Sequence, residues 1–359
     1  MKQTKPQKEP KGKRGYEPAL HTPLCDILGC QYPVLQAGMG GVARSELVAA
    51  VTAAGGYGFL GMVRETPDFI AQQIDAVRAR TDSPFGVNLI PAATDPVLLE
   101  AELSTCFEKR IHSLCFFWEV RADVIGRAKE AGCRLLYRVS SIEDAVAAEK
   151  AGVDAIIAQG FEAGGHVRGT VSSLVLLPQI VRAVSVPVVA SGGFASGESL
   201  VAALALGAQG IHCGTAFLAT VESFAHAYHK DRGVQAKSED TVYTDAFAIN
   251  WPPSSPVRVI ANSLTDELGQ RLLGHDPGDT FREAVADEDG RPIYKFSTDS
   301  PLRITTGELE CLALFAGQVV GEIETIPRAG ARVSGIVTAA RATLARLGIP
   351  DLQLHGGKA

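Results

Sequence analysis

The chain has 359 residues, 46% of them hydrophobic and 21% charged, with a formal net charge of −6 and seven cysteines. It holds enough apolar material for a large core in one α/β unit, and its acidity excludes a general attraction to nucleic acid. No apolar run approaches the roughly 18 residues that span a bilayer. The cysteines are odd in number and lack a CxxC pair or a regular spacing to histidine, so neither a disulfide framework nor a metal site is expected and a cytoplasmic location is.

Residues 1–18 carry six Lys/Arg, three prolines and no aliphatic side chain, which describes a disordered basic tail and not a secretory signal. From Pro33 onward, short apolar strands alternate with helical periodicity. The predicted strands are Pro33 to Ala37, Gly58 to Gly61, Phe85 to Ile90, Ser113 to Trp118, Leu135 to Val139, Ala155 to Gln159, Pro187 to Ser191 and Gly210 to Gly214. Amphipathic stretches lie between them, such as Asp68 to Arg80, Ile142 to Ala151 and Gly197 to Leu206, and several end in Ala-Gly or Leu-Gly as a helix C-terminus does.

Eight strands with little alternation, separated by helices, predict an α/β fold, a TIM (β/α)8 barrel with both strand faces buried. The polar, proline-rich run after the eighth strand predicts a small helical and loop-rich insertion covering the barrel mouth. The expected division is a basic tail (1–18), barrel (19–221), insertion (222–305), C-terminal helices packed on the barrel (306–350) and a flexible tail (351–359).

In such a barrel the chemistry sits at the C-terminal strand ends. Those ends carry Gln36, Ala37, Gly38 and Met39 after strand one, Asn88 after strand three, Arg138 after strand five, and Gln159 at strand six. Strand six runs on into Gly164-Gly165-His166. Two glycines let a ligand approach the backbone, and histidine is suited to proton transfer near neutral pH, so His166 is the catalytic candidate. Strands seven and eight end in Ser191-Gly192-Gly193 and Gly214-Thr215, each expected to precede a helix, where amide groups and a helix dipole hold a phosphate. Asn88, Gln159 and Arg138 then suit the pyrimidine edge of a flavin, with a sugar phosphate as the alternative.

Several runs together resemble the nitronate monooxygenase family, formerly the 2-nitropropane dioxygenases. They are Gln-Ala-Gly-Met at 36–39, Pro-Phe-Gly-Val-Asn at 84–88, Ala-Gln-Gly-Phe-Glu-Ala-Gly-Gly-His at 158–166, Val-Ala-Ser-Gly-Gly at 189–193, Gly-Thr-Ala-Phe-Leu-Ala-Thr at 214–220 and Ala-Gly-Gln at 316–318. The resemblance implies FMN as cofactor, a flavin-dependent monooxygenase acting on nitronates or nitroalkanes with O2, and His166 as the active-site histidine. It also implies FMN contacts from the strand-end residues above, with Gly164, Gly165 and Gln318 added.

The FMN-dependent enoyl-acyl-carrier-protein reductases share this signature, which keeps NAD(P)H as an alternative co-substrate. A homodimer is a further candidate state. The chain departs from the usual patterns at Gly38, commonly proline, and at Ala216, commonly arginine. Trp118, Glu119 and Glu162 are secondary candidates for the site. Cys213 reads as a buried thiol, and His226 with His229, three apart, lacks a third metal ligand.

Overall fold

Eight short apolar runs pair edge to edge into a closed parallel barrel. In chain order they are β1 (Val34–Gln36), β2 (Tyr57–Gly61), β3 (Gly86–Leu89), β4 (Ser113–Phe117), β5 (Arg134–Val139), β6 (Ala155–Gln159), β8 (Val188–Ser191) and β9 (Ile211–Cys213); β7 (Gly165–His166) lies outside the barrel. The ring closes where β1 meets β9 in the register Leu35↔His212. The computed structural model describes residues 20–275 and 282–349. The two expected tails therefore fall outside the described residues.

The strands show no polar alternation because each is covered twice. Inward-facing Leu35, Tyr57, Phe59, Leu136, Ile157 and Val189 form one cluster with Leu24 and Leu28 of α1 (Pro23–Leu28). Thr22 Oγ1 donates to the Gln209 carbonyl at 2.7 Å, which fixes α1 at the lower end of the barrel, beside the start of β9. Outward residues such as Leu60, Val87, Leu114 and Ile156 pack under the surrounding helices. These are α2 (Ser45–Ala53), α3 (Pro67–Arg78), α4 (Pro96–Glu108), α5 (Ala122–Glu130), α6 (Ile142–Ala151), α7 (Ser173–Ala183) and α8 (Gly197–Ala205).

Several helix starts are written locally in the sequence. Thr66 and Asp95 cap α3 and α4, each followed by proline in the first turn, and Ser141 caps α6. The run after β3, too short for a domain, is α4. Among the described residues no helix is long and apolar enough to cross a membrane.

After β9 come α9 (Thr215–Leu218), α10 (Ala227–Gln235), β10 (Thr241–Thr244), β11 (Val257–Ile260), α11 (Ser263–Leu268), β12 (Ala284–Glu288), β13 (Arg291–Tyr294) and β14 (Thr305–Gly307). The insertion thus adds two antiparallel sheets, β10-β11-β7 and β13-β12-β14, to the helices and loops expected there. Its strands have only three to five residues, and apart from the β12–β13 hairpin closed by Glu288↔Arg291 their partners are distant, so local periodicity carries little trace of them. The C-terminal region is also less helical than its pattern: Gly317, Gly321 and Pro327 interrupt it, and only α12 (Ala329–Arg346) forms a regular helix. It packs on α8 so closely that a Cβ on Gly197 would lie 2.1 Å from the Ala340 nitrogen.

Candidate functional site

The C-terminal strand ends and the insertion enclose a cavity of about 610 Å3. Of the residues expected there, Ala37, Gly38 and Met39 line one side, and Arg138 and Gln159 lie at the ends of β5 and β6. Gly164, Gly165 and His166 follow, and Ser191, Gly192, Gly193, Gly214 and Thr215 are the remaining expected residues that line it.

Three expected residues stand off the cavity. Gln36 is fully buried and turns its amide to the backbone, donating from Nε2 to the Phe59 carbonyl at 3.2 Å and to the Ala37 carbonyl. Asn88 lies behind Gly38, where a Cβ would be 2.3 Å from the Asn88 Cβ, so glycine is needed at 38 for packing. Gln318 is exposed on a 3-10 turn, its backbone N–H donating to the Glu162 carbonyl at 3.0 Å.

The glycines do different jobs. Gly192 (φ 87°) and Gly193 (φ 79°) occupy the left-handed region, which penalises any Cβ. Gly164 passes 2.4 Å (as a Cβ) from the Gly317 nitrogen, so a side chain would push the 316–317 segment off the mouth. Gly214 has an ordinary φ of −95°, and a Cβ there would meet only Met39 Sδ at 3.8 Å and Ala37 Cβ at 3.9 Å. Its glycine keeps space open and serves no backbone angle.

Only the second of the two expected phosphate loops leads straight into a helix. Gly214 caps α9, whereas α8 begins at Gly197 behind a capping box in which Ser196 and Ser199 satisfy each other's backbone. Thr215 Oγ1 accepts from the Gly317 N–H at 3.0 Å and ties α9 to the chain that crosses Gly164.

His166 is held through its backbone. β7 pairs with β11 (Val257↔His166), and Gln159 Nε2 donates to the His166 carbonyl at 3.1 Å. The His166 Nε2 atom is buried and has no hydrogen-bond partner. Burial, then the nearby Arg138 and Arg64 cations, hold its pKa well below the ordinary 6.5, so the ring is neutral at physiological pH.

Arg138 lies 3.5 Å over the Phe117 ring, and its buried Nε has no partner. Burial lowers its pKa to about 10, which leaves it charged. The site therefore presents a neutral imidazole and an unpaired cation, while the carboxylates of Glu65, Glu288 and Asp299 line other parts of the same cavity.

Among the lining side chains that sequence reasoning missed are two aromatic-ring residues and two cations. His212, in the middle of β9, is 3% exposed, and its Nδ1 lies 3.1 Å from Ser191 Oγ; inside a strand it looks like core. Trp251 enters from an irregular stretch of the insertion and stacks on His166. Arg44, at the start of α2, sits 3.6 Å over Phe224, and Arg64, after β2, donates to the Asn250 carbonyl.

The secondary candidates take structural places. Trp118 is buried behind His166, ring centroids 6.1 Å apart, and Glu119 is exposed. Both oxygens of Glu162 accept from the Ser173 N–H at 3.0 Å, capping α7. Cys213 is buried, which pushes its thiol up to about 12. His226 caps α10, and His229 is buried with Nε2 3.1 Å from the Phe315 carbonyl.

A (β/α)8 barrel whose strand ends gather glycine loops, a neutral buried histidine and an unpaired arginine in one cavity is built as an enzyme. The nitronate monooxygenase family model matches residues 21–338. A probable nitronate monooxygenase of Staphylococcus aureus (strain Newman) is 32% identical over 334 residues, covering 79% of this chain and 92% of the relative.

Among solved structures, nitroalkane oxidase from Streptomyces ansochromogenes superposes with a TM-score of 0.74 at 30% identity, covering 90% of this chain and 99% of that one. FabK from Thermotoga maritima gives 0.74 at 29%, covering 91% and 98%. The chain belongs to the nitronate monooxygenase family and is an oxidoreductase.

Proposed function

We infer that this protein uses FMN to oxidise alkyl nitronates, or the parent nitroalkanes, with O2. The observation that carries the reading is the buried, neutral His166 with an unpartnered Nε2, in one cavity with the unpaired Arg138. Family membership and the likeness to a nitroalkane oxidase support the same chemistry.

The residues fit FMN. Gly192, Gly193, Gly214 and Thr215 would hold its one phosphate, and Ala37, Gly38, Met39, Gly164 and Gly165 leave room for it along the mouth. Arg138, with its orphaned Nε, would answer the negative charge of the reduced ring. Gln36, Asn88 and Gln318 stand outside this set. Bound FMN supplies the two-electron acceptor that O2 reoxidises.

His166 performs one of two tasks according to the substrate. Its neutral ring accepts the α proton of a nitroalkane, or one ring N–H donates to an oxygen of a nitronate. Gln159 and β11 fix the backbone that carries the ring. The protein should be purified yellow, mixed anaerobically with ethyl nitronate or with NADH, and followed by flavin absorbance. Bleaching by the nitronate is expected; bleaching by NADH alone moves the activity to the enoyl thioester reductase reading.

A further inference from the structure

Three non-glycine residues around His166 hold positive φ: Arg64 (60°), Trp118 (86°) and Asn250 (77°). Such angles are costly for residues with a Cβ and persist where neighbours enforce them, often around functional sites. Arg64 donates to the Asn250 carbonyl, and Arg168 Nη1 donates to the Trp118 carbonyl at 3.1 Å. With its two flanks so tied, Trp251 lies flat on His166, 3.4 Å between centroids and 21° between planes. Trp118 meets both rings edge-on, at 6.1 Å from His166 and 5.5 Å from Trp251.

Trp251 also closes an apolar box. Ile90, Phe117 and Trp118 form one buried cluster, with Val63 and Trp251 packed against it. Val63, Ile90 and Trp251 face the cavity. The box stands at the ends of β2, β3 and β4, and β3 and β4 lie across the closed ring from β8 and β9, which carry the glycine loops. Its own side chains are apolar; the Arg138 guanidinium lies 3.5 Å over the Phe117 ring, and the Arg64 cation at its rim donates to the Asn250 carbonyl.

We propose that Trp251, with Val63 and Ile90, is the specificity site for the alkyl chain of an n-alkyl nitronate or nitroalkane substrate. The proposal rests on the nitronate reading above. The stack covers one face of His166 and leaves the unpartnered Nε2 for the reacting end, while the chain lies in the box and leaves water.

On the flavin-loaded full chain, kcat/KM for ethyl through hexyl nitronate should rise up to ~fourfold per methylene until the box is full. Trp251→Ala should flatten the rise, mainly through KM, and keep its flavin. Trp251→Phe, which leaves a ring in the box, should restore most of it. n-Alkyl carboxylates of the same lengths, titrated against the flavin absorbance, should show the same chain-length dependence in Kd and the same loss in Trp251→Ala.

An unchanged slope in Trp251→Ala, or a wild-type carboxylate series without chain-length dependence, overturns the proposal. Failure of the wild type to oxidise any nitronate sinks the nitronate reading instead, and the carboxylate series then decides the box by itself.

Discussion

Ser191 Oγ and His212 Nδ1 lie 3.1 Å apart because β8 and β9 place the two residues side by side in register. Burial, and after it the Arg138 cation, hold His212 at about 3. An unfolded histidine titrates near 6.5, so between about pH 3 and 6.5 the unfolded chain carries a proton that the folded chain refuses. Stability must rise with pH through that window and gain nothing more above it. His212→Gln should remove one proton's share of that slope, up to about 1.4 kcal/mol per pH unit. Denaturant unfolding at intervals from pH 4 to 7 measures it, and an unchanged slope would mean that His212 protonates freely in the folded state.

Glu102 on α4 gives the opposite sign. Its side chain is fully buried, and burial pushes the carboxyl up to about 8 against the pull of the Arg64 and Glu65 backbone amides. Between its ordinary 4.5 and about 8 the folded chain holds a proton that the unfolded chain has lost. Stability attributable to Glu102 falls as pH rises through that window. Glu102→Gln should therefore be more stable than wild type at pH 8 and closer to it at pH 5, as read by melting temperature; equal differences at the two pH values would place an ionised carboxylate at 102.

Gly192 and Gly214 separate backbone strain from ligand space. Gly192→Val meets a φ of 87° and a carbonyl 3.0 Å from its Cβ, so it should lose both stability, by about 1–3 kcal/mol, and flavin. Gly214→Val keeps an ordinary φ and open room, so it should fold normally and yet bind FMN weakly. Full flavin occupancy in a well-folded Gly214→Val protein would move the phosphate away from α9.

His166→Ala should leave the fold and flavin in place. Turnover of a neutral nitroalkane should fall by a factor of roughly 10² to 10⁴, the share that a general base contributes. With a preformed nitronate much of the rate should survive. Steady-state rates on both forms of one compound check this, and wild-type rates on both would take His166 out of the mechanism.

The barrel was legible because its strands are buried on both faces and several helices carry their own cap, both local signals. Thirteen lining residues were legible for a related reason: glycine and polar groups cluster at the strand ends of a chain whose strands are otherwise apolar. His212 escaped notice because an inward residue in mid-strand is normally core, and only the Leu35↔His212↔Ser191 register puts it under the mouth. Trp251 and the pairings of β7 with β11 and of β12 with β14 depend on partners far away in the chain. Asn88 misled in the other direction: it sits at the right strand end, but Gly38 crosses in front of it.

The two-residue strand β7 is completed by β11, through Val257↔His166 and Arg258↔Gly165, and Arg258 Nη2 also donates to the Phe161 carbonyl at 3.0 Å. The histidine and the insertion are thus one mechanical part, although the paired residues His166 and Val257 lie 91 positions apart in the chain. Modularity is limited accordingly. Transplanting the insertion from a relative to change what enters the mouth would have to carry the Phe161–Val167 loop with it as a single cassette, or the proton-handling ring would lose the edge on which it is mounted.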